Sequence, residues 1–370
     1  MKFFDLTEQY HNLKKEIDNA VQNVMEDSFF IGGKEVKDFE KEIADFCNVK
    51  YALGMNSGTD ALFLALKTLG IKEGDQVITT PFTFIATAEV ITNCGAEPVF
   101  VDVNLDTFNI DPDKIEEKIT DKTRAIIPVH IFGQMADMDK IMAIANKHKL
   151  FVIEDACQAI GAEYKGKIAG SIGDISAFSF FPTKNLGAYA DAGMAITNNS
   201  DFANYLNLLK NHGSAPEEKY KHKIVGINSR LDTIQATILR IKLKCLKDWN
   251  QKRLEIAQYY NQNLAGIDGL DCPIIDSNCK HVFHQYTLKA DKRDGLQNYL
   301  KEKEIPTMIY YPIPLHLQEA FGDLGYKKGD LKNVEYVCEH VISLPIYPEL
   351  TKDDQNRIIL AIKEFYGKKN

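Results

Sequence analysis

Between residues 50 and 200, apolar positions follow two patterns in alternation. Short unbroken runs trade places with stretches that repeat every three to four residues. Leu62, Ala65, Leu66 and Leu69 give the second pattern and predict a helix over 59–69. Unbroken runs predict strands at 76–80, 98–103, 125–129 and 151–155, with helices near 86–93 and 138–148 between them. Runs that are apolar throughout fit a parallel sheet covered on both faces. Strand and helix in strict alternation imply an α/β sandwich with right-handed crossovers.

The alternation ends in a polar loop at 211–229, and a long helical stretch follows from 231 to about 264, with a break expected near Asp248. Strands at 285–289 and 307–311 then mix with helices. This divides the chain into a large domain, 1–249, which includes an N-terminal helical segment, and a smaller C-terminal α+β domain, 250–370.

Ligands of open α/β sheets bind beyond the carboxyl ends of the strands. The polar residues at those ends are Thr79, Thr80, Asp102, His130 and Asp155.

Charge narrows the function. A net charge of −8 over 370 residues lacks the basic footprint of a nucleic-acid binder. No run approaches the roughly 18 apolar residues of a membrane span. The N-terminus has no apolar core or cleavage site, and seven scattered cysteines form no disulfide framework, so a cytoplasmic protein is expected. Cys272, Cys279, His281 and His284 match no zinc spacing, and a loop and strand are expected there instead of a metal site.

Two nucleotide motifs fail. There is no G-x-G-x-x-G. Gly161 to Lys167 begins like a P-loop, but Ile168 replaces the magnesium-binding hydroxyl, and a surface hairpin explains the glycines better.

Three features carry chemistry. Ser57-Gly58-Thr59 directly precedes a helix, where small and hydroxyl residues make either an anion site or a plain N-cap. Asp155 ends an apolar strand, so its carboxylate needs a cation or a donor, such as a protonated pyridine nitrogen, unless it caps the next helix. Its neighbour Glu154 points to the opposite face. Lys184 follows the apolar run 175–181, and a desolvated amine there becomes a neutral nucleophile; an exposed loop lysine is the alternative.

Taken together, these features resemble the DegT/DnrJ/EryC1/StrS sugar aminotransferases. The likeness runs through SGTDALFLAL (57–66), GDQVITTPFTFIATAEVI (74–91), VIEDACQAIGAEYKGK (152–167), SFFPTKNLGAYADAG (179–193), GINSRLDTIQA (226–236), HVFHQYTL (281–288) and YPIPLHLQ (311–318). It implies a pyridoxal 5'-phosphate enzyme of fold type I, with a mostly parallel central sheet between helices. Lys184 would be the Schiff-base lysine and proton carrier, and Asp155 the partner of the ring nitrogen. Gly58, Thr59 and Ser179 would hold the phosphate, with Ser57 beside them. Phe84 would stack on the ring, and Gln158 would lie near the ring oxygen. Asn228 would reach the phosphate of a second subunit, giving a homodimer with shared active sites. Lys219, Tyr310, Tyr311 and His316 are candidate sugar or diphosphate contacts.

The implied reaction passes an amino group from L-glutamate to a nucleotide-linked keto-sugar. Relatives acting on 4-keto sugars tend to carry T-x-E-G-G after the lysine. Asn185-Leu186-Gly187-Ala188 here looks like the 3-keto type, so a dTDP-3-keto-6-deoxyhexose is expected. The chain departs from the family pattern twice, with Ala190-Asp191-Ala192-Gly193 in place of G-D-G-G and Tyr310 where histidine is common, and either change could alter the sugar pocket without touching the cofactor. The alternatives are a 4-keto-sugar or cyclitol aminotransferase, a sugar dehydratase, whose lysine is replaced by histidine, and a non-enzymatic regulatory homologue.

Overall fold

The computed structural model describes residues 1–215 and 220–367. Seven strands form the main sheet in the order Tyr51–Met55, Gly193–Thr197, Ile175–Ser179, Phe151–Asp155, Thr123–Ile127, Gln76–Thr79 and Glu97–Phe100. Only Gly193–Thr197 runs antiparallel to its neighbours. The expected mostly parallel α/β sandwich is therefore present. Its strands are buried on both faces, which is why they read as unbroken apolar runs.

Local chemistry sets the flanking helices. Ser57 is extended (φ −157°), and its hydroxyl accepts from Asp60 N at 3.1 Å, starting the helix Gly58–Thr68. Ala61, Leu62 and Leu64–Leu66 of that helix face the sheet. Asp137 caps Met138–His148 in the same way, and Lys149 ends it in the left-handed region at φ 57°. The N-terminal helices Thr7–Asp27 and Gly33–Cys47 pack on Thr233–Leu243, where Arg240 bridges Glu35 and Glu42.

A second core lies beyond the main sheet. Leu270–Asp271, Tyr286–Ala290 and Val341–Leu344 form an antiparallel sheet covered by Leu246–Leu264, Arg293–Glu302 and Lys352–Gly367. The helix Leu246–Leu264 hands one core to the other. Leu246 belongs to the first, while Ile256, Tyr260 and Leu264 belong to the second. The segment 282–285 crosses back, with Val282 N bonded to Gly133 O at 3.0 Å.

Two local expectations differ. The helical stretch breaks at Lys244–Cys245, a few residues before Asp248. Residues 307–311 are not a strand: Met308 makes one isolated bridge to Ser343, and Pro306 and Pro312, which lack N–H donors, prevent a ladder on either side. The glycines at 161–167 do belong to a two-strand hairpin, Glu163–Tyr164 with Lys167–Ile168, which Gly161 precedes and whose turn holds Gly166.

Candidate active site

The four strand ends that looked equivalent in sequence do different work. Asp102 accepts from Asn333 N (3.0 Å) and Val334 N (2.9 Å), seating the helix Lys332–His340. His130 Nδ1 accepts from Ala136 N, so its proton lies on Nε2 and is given to Glu154 at 2.9 Å. Thr79 bonds across to Ile127 O. Only Asp155 reaches a large cavity.

That cavity, about 470 Å³, opens at the carboxyl edge of the sheet. Ser57, Gly58 and Thr59 line one side, and Asp155, Gln158 and Ser179 line its floor. Lys184, Phe84, Tyr310 and Tyr311 complete the predicted residues brought together there. Three others are elsewhere. Lys219 lies outside the described residues. His316 does not line the cavity; it is buried against Glu335 (3.2 Å) and Tyr326, so its ring packs and does not contact substrate in this arrangement. Asn228 is exposed on a neighbouring loop and is not among the described residues lining this cavity.

Asp155 is 5% exposed. Thr87 Oγ1 donates to its Oδ2 at 2.7 Å, and Cys157 N to its Oδ1 at 3.2 Å. Thr83 in turn donates to Thr87, because the Thr87 proton is already committed to the carboxylate (2.9 Å). Asp155 does not cap a helix, since only turns follow it up to residue 162; its one local bond, from Cys157 N, uses a single oxygen. Glu154, on the other face, accepts from Gly170, Ile172 and Gly173 N–H groups and holds a surface loop. Burial raises its pKa, but the His130 bond and these amides outweigh that and hold it below the usual carboxylate range.

Lys184 is partly buried, and desolvation pushes its ammonium pKa down, opposed by Cys157 and Asp155. Gln158 is fixed at both ends: its Oε1 accepts from Phe132 N (2.8 Å), and its Nε2 donates to Tyr311 Oη (3.1 Å). Burial drives the Tyr311 phenol up, so it stays neutral.

The residues fit pyridoxal phosphate. The first-turn N–H groups of Gly58 and Thr59 have no carbonyl within their own helix, leaving donors for a phosphate. A Cβ at Gly58 would lie 2.8 Å from both Cys157 Sγ and Ser179 Cβ, so the cradle tolerates no side chain there. Phe84 is 58% exposed at the cavity edge, presenting an aromatic ring to the open space. A buried acid and a desolvated amine complete the set.

Several lining residues had no distinct signal in the sequence. Thr87 was hidden in an ordinary helix start, and Cys157 in a free-cysteine count. His284 stands out in the sequence only beside two cysteines in a spacing that fits no zinc site, yet it lines this cavity. No group of three or more metal-ligating side chains occurs among the described residues.

The profile of the DegT/DnrJ/EryC1/StrS aminotransferase family matches residues 11–363. The chain is 50% identical to the pleiotropic regulatory protein of Geobacillus stearothermophilus, covering 98% of this chain and 97% of that one. It is 44% identical to the UDP-N-acetyl-3-dehydro-alpha-D-glucosamine 3-aminotransferase of Acidithiobacillus ferrooxidans (97% and 96% covered). Identity is 42% to the dTDP-3-amino-3,6-dideoxy-alpha-D-galactopyranose transaminase of Aneurinibacillus thermoaerophilus (98% and 99%). Among solved structures, Streptomyces venezuelae DesV with a ketimine intermediate superposes with a TM-score of 0.97 at 39% identity (100% and 99% covered). Bacillus subtilis NtdA with bound PMP gives 0.91 at 35% (96% and 82%).

Proposed function

The chain belongs to the DegT/DnrJ/EryC1/StrS aminotransferase family, whose enzymes depend on pyridoxal phosphate, and from that premise we propose that it transfers the amino group of L-glutamate to C3 of a dTDP-linked 3-keto-6-deoxyhexose. One observation carries this: a desolvated amine, a buried carboxylate and an open helix N-terminus face one cavity. The 3-keto assignment draws on Asn185-Leu186-Gly187-Ala188 after the lysine and on relatives named for 3-amino sugars.

Pyridoxal phosphate, when bound, supplies the electron sink that stabilises a carbanion at the carbon bearing nitrogen. The protein does the rest. Gly58, Thr59 and Ser179 hold the phosphate, Phe84 covers the ring and Asp155 keeps the ring nitrogen protonated. Thr83 and Thr87 aim that carboxylate. Lys184 Nζ takes the α-proton of the donor and later delivers a proton to C3 of the sugar. Binding of the remote nucleotide orients the reacting carbonyl.

A homodimer belongs to this reading. Lys184 is the only Lys or Arg among the described residues lining the cavity, yet the phosphate and diphosphate bring several negative charges. Asn228 is exposed, and Ser229 beside it is tied to Asp60 of the phosphate helix at 2.7 Å; an anchored loop with an exposed Asn228 supports its reaching a second copy. We also take 1–249 and 250–370 as large and small domains, supported by the exchange of cores within Leu246–Leu264. Free cysteines throughout accord with the cytoplasm, and no described helix is long and apolar enough to cross a membrane.

The test is incubation with L-glutamate and 3-keto or 4-keto hexoses on dTDP or UDP, followed by product NMR. Nitrogen at C3 of the dTDP sugar is expected. Nitrogen only at C4 rejects the substrate, and turnover only with the UDP sugars rejects the nucleotide.

A further inference from the structure

The segment 282–285 brings His284 to the cavity wall, and its tautomer can be deduced. Asn185, the residue after Lys184, is buried, and its amide nitrogen donates to Asn250 Oδ1 (2.8 Å) and to Val282 O (3.0 Å). Both partners are acceptors here, because Asn250 Nδ2 is itself donating to Ile160 O. The Asn185 oxygen must therefore be the atom that meets His284 Nδ1 at 3.2 Å, and Nδ1 must carry the proton. Nε2 is left as a bare acceptor. No described side chain is hydrogen-bonded to it or to the Lys184 amine, and both residues line the cavity. One unused acceptor and one unused donor thus line the same space, linked through Asn185.

We propose that His284 is a positioning residue whose Nε2 accepts a hydrogen bond from the Lys184 amine whenever that amine is free. The lysine must leave its covalent position during each half-reaction and then move a proton. A neutral acceptor holds it over the reacting carbon without adding a second positive charge. Burial, together with Lys184 and Arg253, keeps the imidazole well below its usual pKa and so neutral. The other titratable groups around the amine are Asp155 and Cys157 at the strand end, Tyr310 and Tyr311 opposite, and Asp191 on the rim. The inference rests on the aminotransferase reading only for its purpose; the His284 tautomer and its place beside Lys184 in the cavity wall do not depend on it.

The test reads the contact without turnover. The full-length protein, dialysed free of cofactor, is labelled with an amine-reactive reagent across a pH series, and modification of Lys184 is followed by peptide mass spectrometry. An acceptor stabilises the ammonium form, so His284→Phe should lower the Lys184 midpoint by about one pH unit and raise its reactivity near neutral pH about tenfold. His284→Gln, which places an oxygen near the Nε2 position, should restore the wild-type midpoint, whereas His284→Asn, which reaches only the Nδ1 position, should not. A merely loosened loop would hydrate the lysine and raise the midpoint. An unchanged or raised midpoint in His284→Phe overturns the proposal. Should that variant fail to fold, equal midpoints for His284→Gln and His284→Asn overturn it instead. Failure of the aminotransferase reading shows separately, as absence of a pyridoxal phosphate adduct on Lys184.

Discussion

Two lysines in this protein lose their usual basicity for the same reason and use it differently. Lys184 faces the cavity; Lys242, in the helix Thr233–Leu243, is 1% exposed. Burial lowers both ammonium pKa values, that of Lys242 to about 8. Lys242, however, donates to Gly187 O and lies over the Tyr189 ring at 4.9 Å. Lys184 has a carboxylate nearby and no fixed partner among the described residues. Desolvation alone does not mark a reactive lysine. What separates the two is open volume beside the amine and an acid placed to serve the same ligand.

The sharpest way to break this comparison is to remove each amine. Lys184→Ala should cut transamination by about 10³-fold or more and abolish borohydride trapping of the cofactor, while Lys242→Met keeps the trap. Recovery of the reduced cofactor on Lys242 would reverse the assignment.

The adjacent acids offer the same contrast. Asp155→Asn should lower turnover about 10²-fold with the urea midpoint little changed. Glu154→Gln should do the opposite, losing about 3 kcal/mol of stability because a buried carboxylate that accepts from His130 and three backbone N–H groups is replaced by an amide that cannot accept them all. Equal effects on turnover would remove the distinction between the two faces of that strand.

Asn228→Ala should weaken cofactor retention roughly tenfold, the scale of one hydrogen bond to a charged group. Equilibrium dialysis reads this directly, and undiminished retention counts against a shared site.

The effect that needs the widest set of conditions is in pH. The folded pKa of Lys242, about 8, lies below the ordinary 10.5, so the folded chain binds fewer protons than the unfolded one between these values. The resulting penalty is complete below pH 8 and disappears as pH rises to 10.5. Wild type should therefore gain up to about 3 kcal/mol relative to Lys242→Met across that window, measured by urea unfolding. A flat difference would mean that Lys242 is not desolvated.

Much of this was legible in the chain itself. The unbroken runs located the sheet strands, and Ser57 capped its helix as its residue type required. The hairpin at 161–167 followed from its glycines. The 307–311 run misled because its apolar content was strand-like while its flanking prolines forbade pairing. His316 carried the right residue type but is turned toward Glu335.

Periodicity and residue type are local properties, so the sequence alone determined which elements form, where the sheet's carboxyl edge runs and which lysine and acid are candidates. Partner choice is not local. That Asp102 seats a helix, that His130 serves Glu154 and that Asp155 alone of these strand-end residues faces the cavity depend on chain segments up to 232 residues apart meeting in space. The same holds for the Asn185 contact that sets the His284 tautomer across 99 residues of separation. Hydrogen bonds act over about 3 Å, and only the folded backbone decides which groups come that close.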